Sequence, residues 1–201
     1  MSERDPYIYP ATNVLRNKLG ITDAGELDAV ERLMVVQRTR EGVPLGRFDL
    51  KHLQAIHRHL FQDIYEWAGQ IRTVEISKGG DQFQFRQYIE TGMTNVHRRL
   101  MSAYFLKRRD LAAFAEGAGQ IMGDINYVHP FREGNGRTQL QYLKQLGAQA
   151  GYAIRLDQIG REAWMEASMA AHRADYRAMT DEIARVAEPL RARSRDDDRG
   201  R

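Results

Sequence analysis

Residues 128–140 read VHPFREGNGRTQL, a short stretch that contains a histidine, an acid, two arginines and an asparagine between two glycines. Apolar residues recur every three or four positions before it, from 111 to 127, and again after it, from 140 to 150. This spacing is typical of amphipathic helices. The stretch therefore predicts a polar loop between two helices.

Most of the remaining chain is also predicted to be helical. Helical spacing extends over four further segments, 22–40, 87–106, 157–172 and 174–191. Asp49 is a candidate N-cap for another helix, which stops near Gly69. Residues 72–85, RTVEISKGGDQFQF, change to a period of two around a Gly-Gly-Asp turn, which predicts a short β-hairpin. The predicted fold class is all-α, with one hairpin.

Length and composition predict a single domain. A chain of 201 residues with 42% hydrophobic content supplies one core but hardly two. We expect the domain to cover residues 1–190, with an extended arm at 1–13, where Pro6 and Pro10 disfavour helix. The charged residues 191–201 are predicted to be a disordered tail.

Charge, cysteine content and hydropathy exclude several classes of protein. Thirty Lys and Arg against 27 Asp and Glu give a net charge of +3, too small to indicate direct binding to nucleic acid. The chain has no cysteine, which excludes disulfides and thiolate metal sites. No apolar run approaches the roughly 20 residues of a membrane helix, and the first residues lack a signal core. We therefore expect a cytoplasmic protein without a membrane partner.

The residue types of the loop are suited to a polyphosphate. Gly134 and Gly136 permit backbone conformations that turn N–H groups toward an anion, and the following helix adds its own free N–H groups. Arg137 lies in the first turn of that helix, where a cation is unfavourable unless an anion binds. Glu133 has the hard oxygen that Mg²⁺ prefers, and a neutral His129 can take a proton from a hydroxyl. These groups suffice for in-line attack on a nucleotide phosphorus.

The segment HPFREGNGR, residues 129–137, resembles the signature of the Fic family, His-x-Phe-x-(Asp/Glu)-Gly-Asn-Gly-Arg, at every fixed position. The likeness extends to the upstream segment HLQAIHRHLFQDIYEWAGQIR and to a β-hairpin flap at about residues 73–85, so that it covers roughly residues 5–190. The resemblance implies a single Fic-type domain. It also implies an Mg²⁺-dependent protein adenylyltransferase, which moves AMP from ATP to a hydroxyl side chain of a target protein and releases pyrophosphate.

The resemblance also implies a role for each residue of the loop. His129 would be the general base, Phe131 the apolar anchor of the loop, and Glu133 the Mg²⁺ ligand. The anion hole would be formed by Gly134, Asn135 and Gly136. Within it, Asn135 can donate a hydrogen bond to a phosphate oxygen. Arg137 would hold the β- and γ-phosphates of ATP.

The flap would pair with an extended segment of the target protein by strand addition. The residues that this docking would use are Glu75, Ile76, Ser77, Lys78, Gly79, Gly80, Asp81, Gln82 and Phe83.

Leu140 departs from the pattern of many family members, which have a second arginine three residues after the first. That arginine contacts the γ-phosphate and receives an inhibitory glutamate from a regulatory helix. Lys144, one turn further on, would substitute in part for this arginine. Its ammonium group is a point charge and cannot form the two parallel hydrogen bonds of a guanidinium. ATP affinity, regulation or the preferred nucleotide are therefore expected to differ.

The inhibitory motif, (Ser/Thr)-x-x-x-Glu-(Gly/Asn), is missing from the sequence. Thr22 and Glu26 have the spacing, but Leu27 follows. The resemblance then implies the toxin of a bacterial toxin–antitoxin pair, with a separate small antitoxin that carries the inhibitory glutamate. Toxins of this subgroup modify gyrase and topoisomerase IV, which are the expected targets.

Simpler interpretations remain open at this point. In one alternative, the enzyme uses another phosphate-containing donor. In another, the chain is a noncatalytic Fic-fold interaction module. The alternative for Gly79 and Gly80 is a turn without a docking role. The alternative for His129, taken outside the motif, is a helix cap. Three aromatic residues, Phe61, Tyr65 and Trp67, are expected in the core. Of the remaining histidines, His57 is expected in the core or at a cap, and His52 and His59 at the surface.

Overall fold

Seven α-helices carry the fold in a computed structural model of the chain, which describes residues 5–190. They are α1 (Ala24–Glu41), α2 (Leu50–Phe61), α3 (Ile89–Ser102), α4 (Leu111–Val128), α5 (Asn135–Ala150), α6 (Arg161–His172) and α7 (Arg177–Val186). Two small antiparallel sheets accompany them, β1 (Ser77–Lys78) with β2 (Asp81–Gln82), and β3 (Tyr152–Ile154) with β4 (Ala187–Pro189). The predicted all-α class with a short hairpin is confirmed. The predicted tail, 191–201, and residues 1–4 of the arm lie outside the described residues.

Aspartate side chains begin three of the helices. Asp49 accepts a hydrogen bond from the backbone N–H of His52 at 2.8 Å, as its sequence position predicts for α2. Asp23 and Asp110 cap α1 and α4 in the same way. Each cap satisfies a backbone donor that has no partner inside its helix.

The prediction of a helix over 174–191 is wrong at its end. The last helix stops at Val186, and Ala187–Pro189 pairs with Tyr152–Ile154 as a strand. Pro189 has no backbone N–H and disfavours helical geometry at Glu188, so the chain becomes extended there. The segment 87–106 is also divided, because a 3-10 turn at Arg86–Tyr88 precedes α3 and another at Tyr104–Leu106 follows it.

The core surrounds α4, which packs against α3, α5, α6 and α7. Five of its apolar side chains are fully enclosed, Phe114, Ala115, Ala118, Met122 and Ile125. The predicted core residues Phe61, Tyr65 and Trp67 are buried as well. No helix among the described residues is long and apolar enough to span a bilayer. Because α4 is held on several sides, the loop that follows it starts from a fixed point.

His52 is buried, contrary to the surface position expected for it. Only 3% of the residue is exposed, and its Nδ1 accepts the backbone N–H of Phe48 at 3.1 Å. Its Nε2 lies 2.9 Å from Oε1 of Gln145 on α5. Sequence spacing alone did not reveal this partner, which lies 93 positions away.

The described part of the arm is fixed to the domain by contacts of Tyr7 and Asp5. Tyr7 is buried, meets Trp67 edge to face at 5.4 Å, and accepts the backbone N–H of Thr73 on its hydroxyl. Asp5 pairs with Arg132 of the loop at 2.7 Å. The arm therefore contacts both the loop and the segment that leads into the hairpin.

Candidate active site

The loop lies where the sequence predicts it, between the end of α4 and the start of α5. His129 ends α4 in a left-handed conformation, φ 45°, and its N–H still bonds to the Ile125 carbonyl at 3.0 Å. Gly134 precedes α5 with φ 80°. A non-glycine residue with positive φ is uncommon and points to a constrained site.

Within residues 5–190, one nitrogen of the His129 ring has a hydrogen-bond partner and the other has none. The ring stacks on Phe83 with ring centroids 3.8 Å apart, and Nδ1 lies 3.1 Å from the Asn126 carbonyl oxygen. A carbonyl only accepts, so Nδ1 carries the hydrogen of the neutral ring and Nε2 keeps a lone pair. Burial lowers the pKa of His129 to about 4; the hydrogen bond to Asn126 opposes this, and the charge of Arg72 adds to it. The ring is therefore a neutral acceptor at pH 7.

Phe131 of the loop lies in the core, and His57 bonds to the loop backbone. Phe131 is fully buried and stacks on the His57 ring at 3.9 Å. The N–H of Gly69 donates to Nδ1 of His57 at 2.8 Å, so Nε2 carries the hydrogen and donates to the Glu133 carbonyl at 3.0 Å. The core position expected for His57 is confirmed, and its bond to the loop is an addition that the sequence did not reveal.

Asn135 closes the loop on itself. Its Oδ1 accepts the Phe131 N–H at 3.0 Å, and its Nδ2 donates to the Phe131 carbonyl at 2.8 Å. The residue is only 3% exposed, so the side chain is occupied by the loop backbone. The group that Asn135 can offer to an anion is therefore its backbone N–H.

The first turn of α5 presents three backbone donors. Within residues 5–190, the N–H groups of Asn135, Gly136 and Arg137 have no acceptor, and the first helical bond runs from Thr138 to Gly134. A Cβ on Gly136 would meet no heavy atom within 4 Å, so this glycine borders open space. A Cβ on Gly134 would lie 2.4 Å from Cζ of Phe61. Free N–H groups at a helix N-terminus are able to bind an anion, and this turn is called the cradle.

Arg137 is held by two carboxylates above the Phe61 ring. Its guanidinium carbon lies 4.8 Å from the ring centroid, and Nη2 lies 3.3 Å from Oε1 of Glu133. Its Nη1 pairs with Glu31 on α1, which is only 5% exposed and also accepts the Tyr65 hydroxyl. Burial, followed by the Glu31 charge, raises the pKa of Tyr65.

Sequence reasoning missed Glu31. It lies on the inward face of α1 between Leu27 and Val35, at the helical spacing of four. The sequence did contain a signal for it, an acid in the middle of a row of apolar residues that face the core. A buried carboxylate needs a partner, so this position indicates a buried interaction.

A cavity of about 610 Å³ adjoins the cradle, large enough for a nucleotide. Its lining includes Glu133, Gly136 and Arg137 from the loop and the first turn of α5, and Leu27 and Glu31 from α1. Leu140, Ile159 and Trp164 contribute an apolar wall. His129 and the hairpin are not among the lining residues.

The hairpin is placed against His129 by Arg72. Its ladder is short, with Ser77 opposite Gln82, and the turn residues Gly79 and Gly80 both have positive φ. Phe83 covers the His129 ring, and the residues of the ladder and turn are largely exposed.

Arg72 is buried and bonds to carbonyl oxygens on both structures that it joins. It donates to the His129 carbonyl at 2.9 Å, to the Val74 carbonyl at 2.7 Å and to the Gln84 carbonyl. Its Nη1 also lies 3.3 Å from Oε2 of Glu75. One side chain thus fixes the base of the hairpin relative to the loop.

Glu133 has the chemistry of an Mg²⁺ ligand. Its side chain is about half exposed, Oε1 accepts the Gly134 N–H at 2.8 Å, and Oε2 has no partner within residues 5–190. The same residues contain no cluster of three or more metal-binding side chains. Mg²⁺ commonly uses one or two carboxylates with phosphate oxygens and water, so a single glutamate beside a phosphate cradle fits this ion.

Comparison with known proteins identifies the family of the chain. Residues 47–146 match the Fic/DOC family. The chain is 42% identical over 183 residues to "Probable protein adenylyltransferase y4lH" of Sinorhizobium fredii, covering 90% of the chain and 95% of that protein. It is 39% identical to "Probable protein adenylyltransferase Fic" of Salmonella typhimurium, covering 88% of each.

A solved structure shares the fold. The N-terminal Fic domain of a Bartonella quintana cell filamentation protein, with bound ADP, has a TM-score of 0.85 and 27% identity, over 92% of this chain and 95% of that one. The chain therefore belongs to the Fic/DOC family. It is a Fic-family enzyme similar to proteins named as protein adenylyltransferases.

Proposed function

We propose that this Fic-family enzyme transfers AMP from ATP to a hydroxyl side chain of a target protein. The observation that carries the proposal is the pairing of a neutral His129, whose Nε2 is free, with a loop that leads directly into an anion cradle. The names of the similar proteins and the ADP in the Bartonella quintana Fic domain support the reaction and the nucleotide.

His129 acts as the general base in this reaction. Its Nε2 takes the proton of the target hydroxyl while the hydroxyl oxygen attacks the α-phosphorus of ATP. An oxygen–phosphorus bond forms to the target, the bond from the α-phosphorus to the bridging oxygen breaks, and pyrophosphate leaves with that oxygen. The target then carries AMP.

The cradle stabilises the negative charge of the phosphates. The N–H groups of Asn135, Gly136 and Arg137 are fixed before substrate binds, so they stabilise charge without reorganising. The Arg137 guanidinium adds a charged donor toward the β- and γ-phosphates. Glu133 would hold Mg²⁺, which neutralises phosphate charge when bound.

The hairpin is the docking element for the target protein. Its ladder and turn, Ser77–Gln82, are largely exposed, so an extended segment has access to the backbone groups of an edge strand. Phe83 at the base of the hairpin contacts the His129 ring, which brings a docked hydroxyl toward the general base.

The target and regulation proposed here are those of a toxin with a separate antitoxin, acting in the cytoplasm on gyrase and topoisomerase IV. The support is that the sequence lacks the (Ser/Thr)-x-x-x-Glu-(Gly/Asn) motif and that the similar proteins come from bacteria. A small partner that carries the glutamate would then supply the inhibition.

Incubation with α-labelled ATP, Mg²⁺ and purified gyrase or topoisomerase IV tests the proposal. We expect label on the topoisomerase with the wild-type chain and none with His129→Ala. Equal labelling by His129→Ala would exclude the proposed base. Intact mass of the product distinguishes a nucleotidyl adduct from phosphate alone, and no adduct on any protein of a bacterial lysate would favour a noncatalytic module.

A further inference from the structure

The charged side chains around the nucleotide-sized cavity are unequally paired. Three acids and three arginines line it, Asp28, Glu31, Glu133, Arg32, Arg137 and Arg161. Arg32 pairs with Asp28 at 2.6 Å, and Arg137 pairs with both Glu31 and Glu133. Arg161 has no carboxylate within 4.0 Å among residues 5–190. Among the described residues that line this cavity, Arg161 is therefore the arginine without a carboxylate partner.

The position of Arg161 is itself unfavourable without an anion. It is the first residue of α6, where the helix dipole disfavours a cation. Arg161 is exposed, and the side chains of Leu140, Ile159 and Trp164, which line the same cavity, offer no acceptor to its guanidinium. An anion in the cavity would relieve both effects, because it would pair with the guanidinium and complement the helix N-terminus.

Because residue 140 is a leucine, a triphosphate in this cavity needs the charge of Arg161. Leu140 lines the cavity one turn after Arg137 and cannot bond to a phosphate oxygen. Arg137 is shared between two carboxylates, so its charge is largely offset before a nucleotide arrives. Lys144, the partial substitute expected from the sequence, lies further along α5, is exposed and does not line the cavity, so the structure places it outside the nucleotide site.

We propose that Arg161 binds the terminal phosphate of ATP, the role that Leu140 cannot take. This inference rests on the proposed function, since it assigns the far end of the same nucleotide site. The α-phosphate lies at the cradle beside His129, the chain of phosphates crosses the cavity, and the γ-phosphate meets α6. The nucleotide is thereby recognised by the length of its phosphate chain.

Calorimetric titration with ATP, ADP and AMP in the presence of Mg²⁺ tests the assignment. Every variant is made in the His129→Ala background, so that the nucleotide is not consumed. We expect Arg161→Ala to weaken ATP binding about tenfold or more, because a charge-assisted bond is lost, and to leave the affinity for AMP unchanged. Lys144→Ala is the matched control and should bind ATP as the parent does.

A second variant protects the test against a folding defect. Adding Leu140→Arg to Arg161→Ala should restore ATP affinity, since position 140 lines the same cavity. Equal loss of ATP, ADP and AMP binding in Arg161→Ala, no loss at all, or a loss as large in Lys144→Ala would overturn the assignment. The readout is binding, so failure to modify a topoisomerase would contradict the proposed function and leave this result intact.

Discussion

The stacked Phe83 ring and the burial of the imidazole determine the protonation state of His129. Burial lowers the pKa to about 4, so the neutral form predominates above that pH. We expect kcat/KM to show no His129 limb between about pH 5 and 8 and to fall near pH 4 as the ring becomes protonated.

Phe83→Ala should move that limb upward, toward the ordinary histidine value of about 6.5, because water then reaches the ring. The measurement is the pH dependence of kcat/KM. Phe85→Ala is the control, since Phe85 is 54% exposed and does not stack on the ring. An acidic limb that stays near pH 4 in Phe83→Ala would show that Phe83 is not what excludes water.

Among the elements, α1 is attached to the site through one buried carboxylate. Glu31 receives both the Tyr65 hydroxyl and Arg137 of α5. Glu31→Ala leaves the buried Tyr65 hydroxyl without its acceptor, which we expect to lower the free energy of unfolding by about 1–3 kcal/mol.

A double-mutant cycle in urea measures the contact. Tyr65→Phe should cost less in the Glu31→Ala background than in the parent, because the two groups form one interaction. Additive losses would mean that the hydroxyl and the carboxylate do not stabilise each other.

The hairpin depends on Arg72 for its position. An ammonium group in place of the guanidinium cannot reach the carbonyl oxygens of His129, Val74 and Gln84 together. We therefore expect Arg72→Lys to lower kcat/KM for the protein target at least about tenfold while ATP affinity changes little. Amide hydrogen exchange in residues 74–84 should become faster.

Arg86→Lys is the matched control for Arg72→Lys, because Arg86 is exposed and its pair with Glu75 is long, at 3.8 Å. If both variants lowered kcat/KM equally, the anchoring role of Arg72 would be refuted.

For the whole molecule, stability should decline as the pH falls below the ordinary pKa of histidine. His57 is fully buried and burial lowers its pKa to about 4, so the unfolded chain binds a proton at this residue before the folded chain does. Stability is therefore present above about pH 6.5 and is lost progressively down to about pH 4.

Between pH 7 and 5, His57 alone should lower the free energy of unfolding by about 2 kcal/mol. Urea unfolding at the two pH values measures the difference, and His57→Gln should reduce the slope even if it lowers stability at pH 7. A slope unchanged by the substitution would assign the pH dependence to other groups.

The sequence was sufficient for features that depend on neighbouring residues. Helical period, the Asp49 cap and the Gly-Gly turn are local, and the loop with its flanking helices followed from them. The bond from Glu31 to Arg137 joins residues 106 positions apart, and the strand pair of Tyr152 with Pro189 joins two chain segments that periodicity treats separately. The use of the Asn135 amide inside the loop also depended on backbone geometry, which residue type does not specify.

The second sheet has a consequence for attaching other proteins to this enzyme. Its strand Tyr152–Ile154 follows α5 directly, and the N–H of Leu190 bonds to the Gly151 carbonyl at 2.8 Å, so the last described residues lie at the C-terminal end of α5. The cradle lies at the other end of the same 16-residue helix, roughly 24 Å away. A reporter or affinity tag joined after residue 190 would thus emerge a full helix length from the nucleotide.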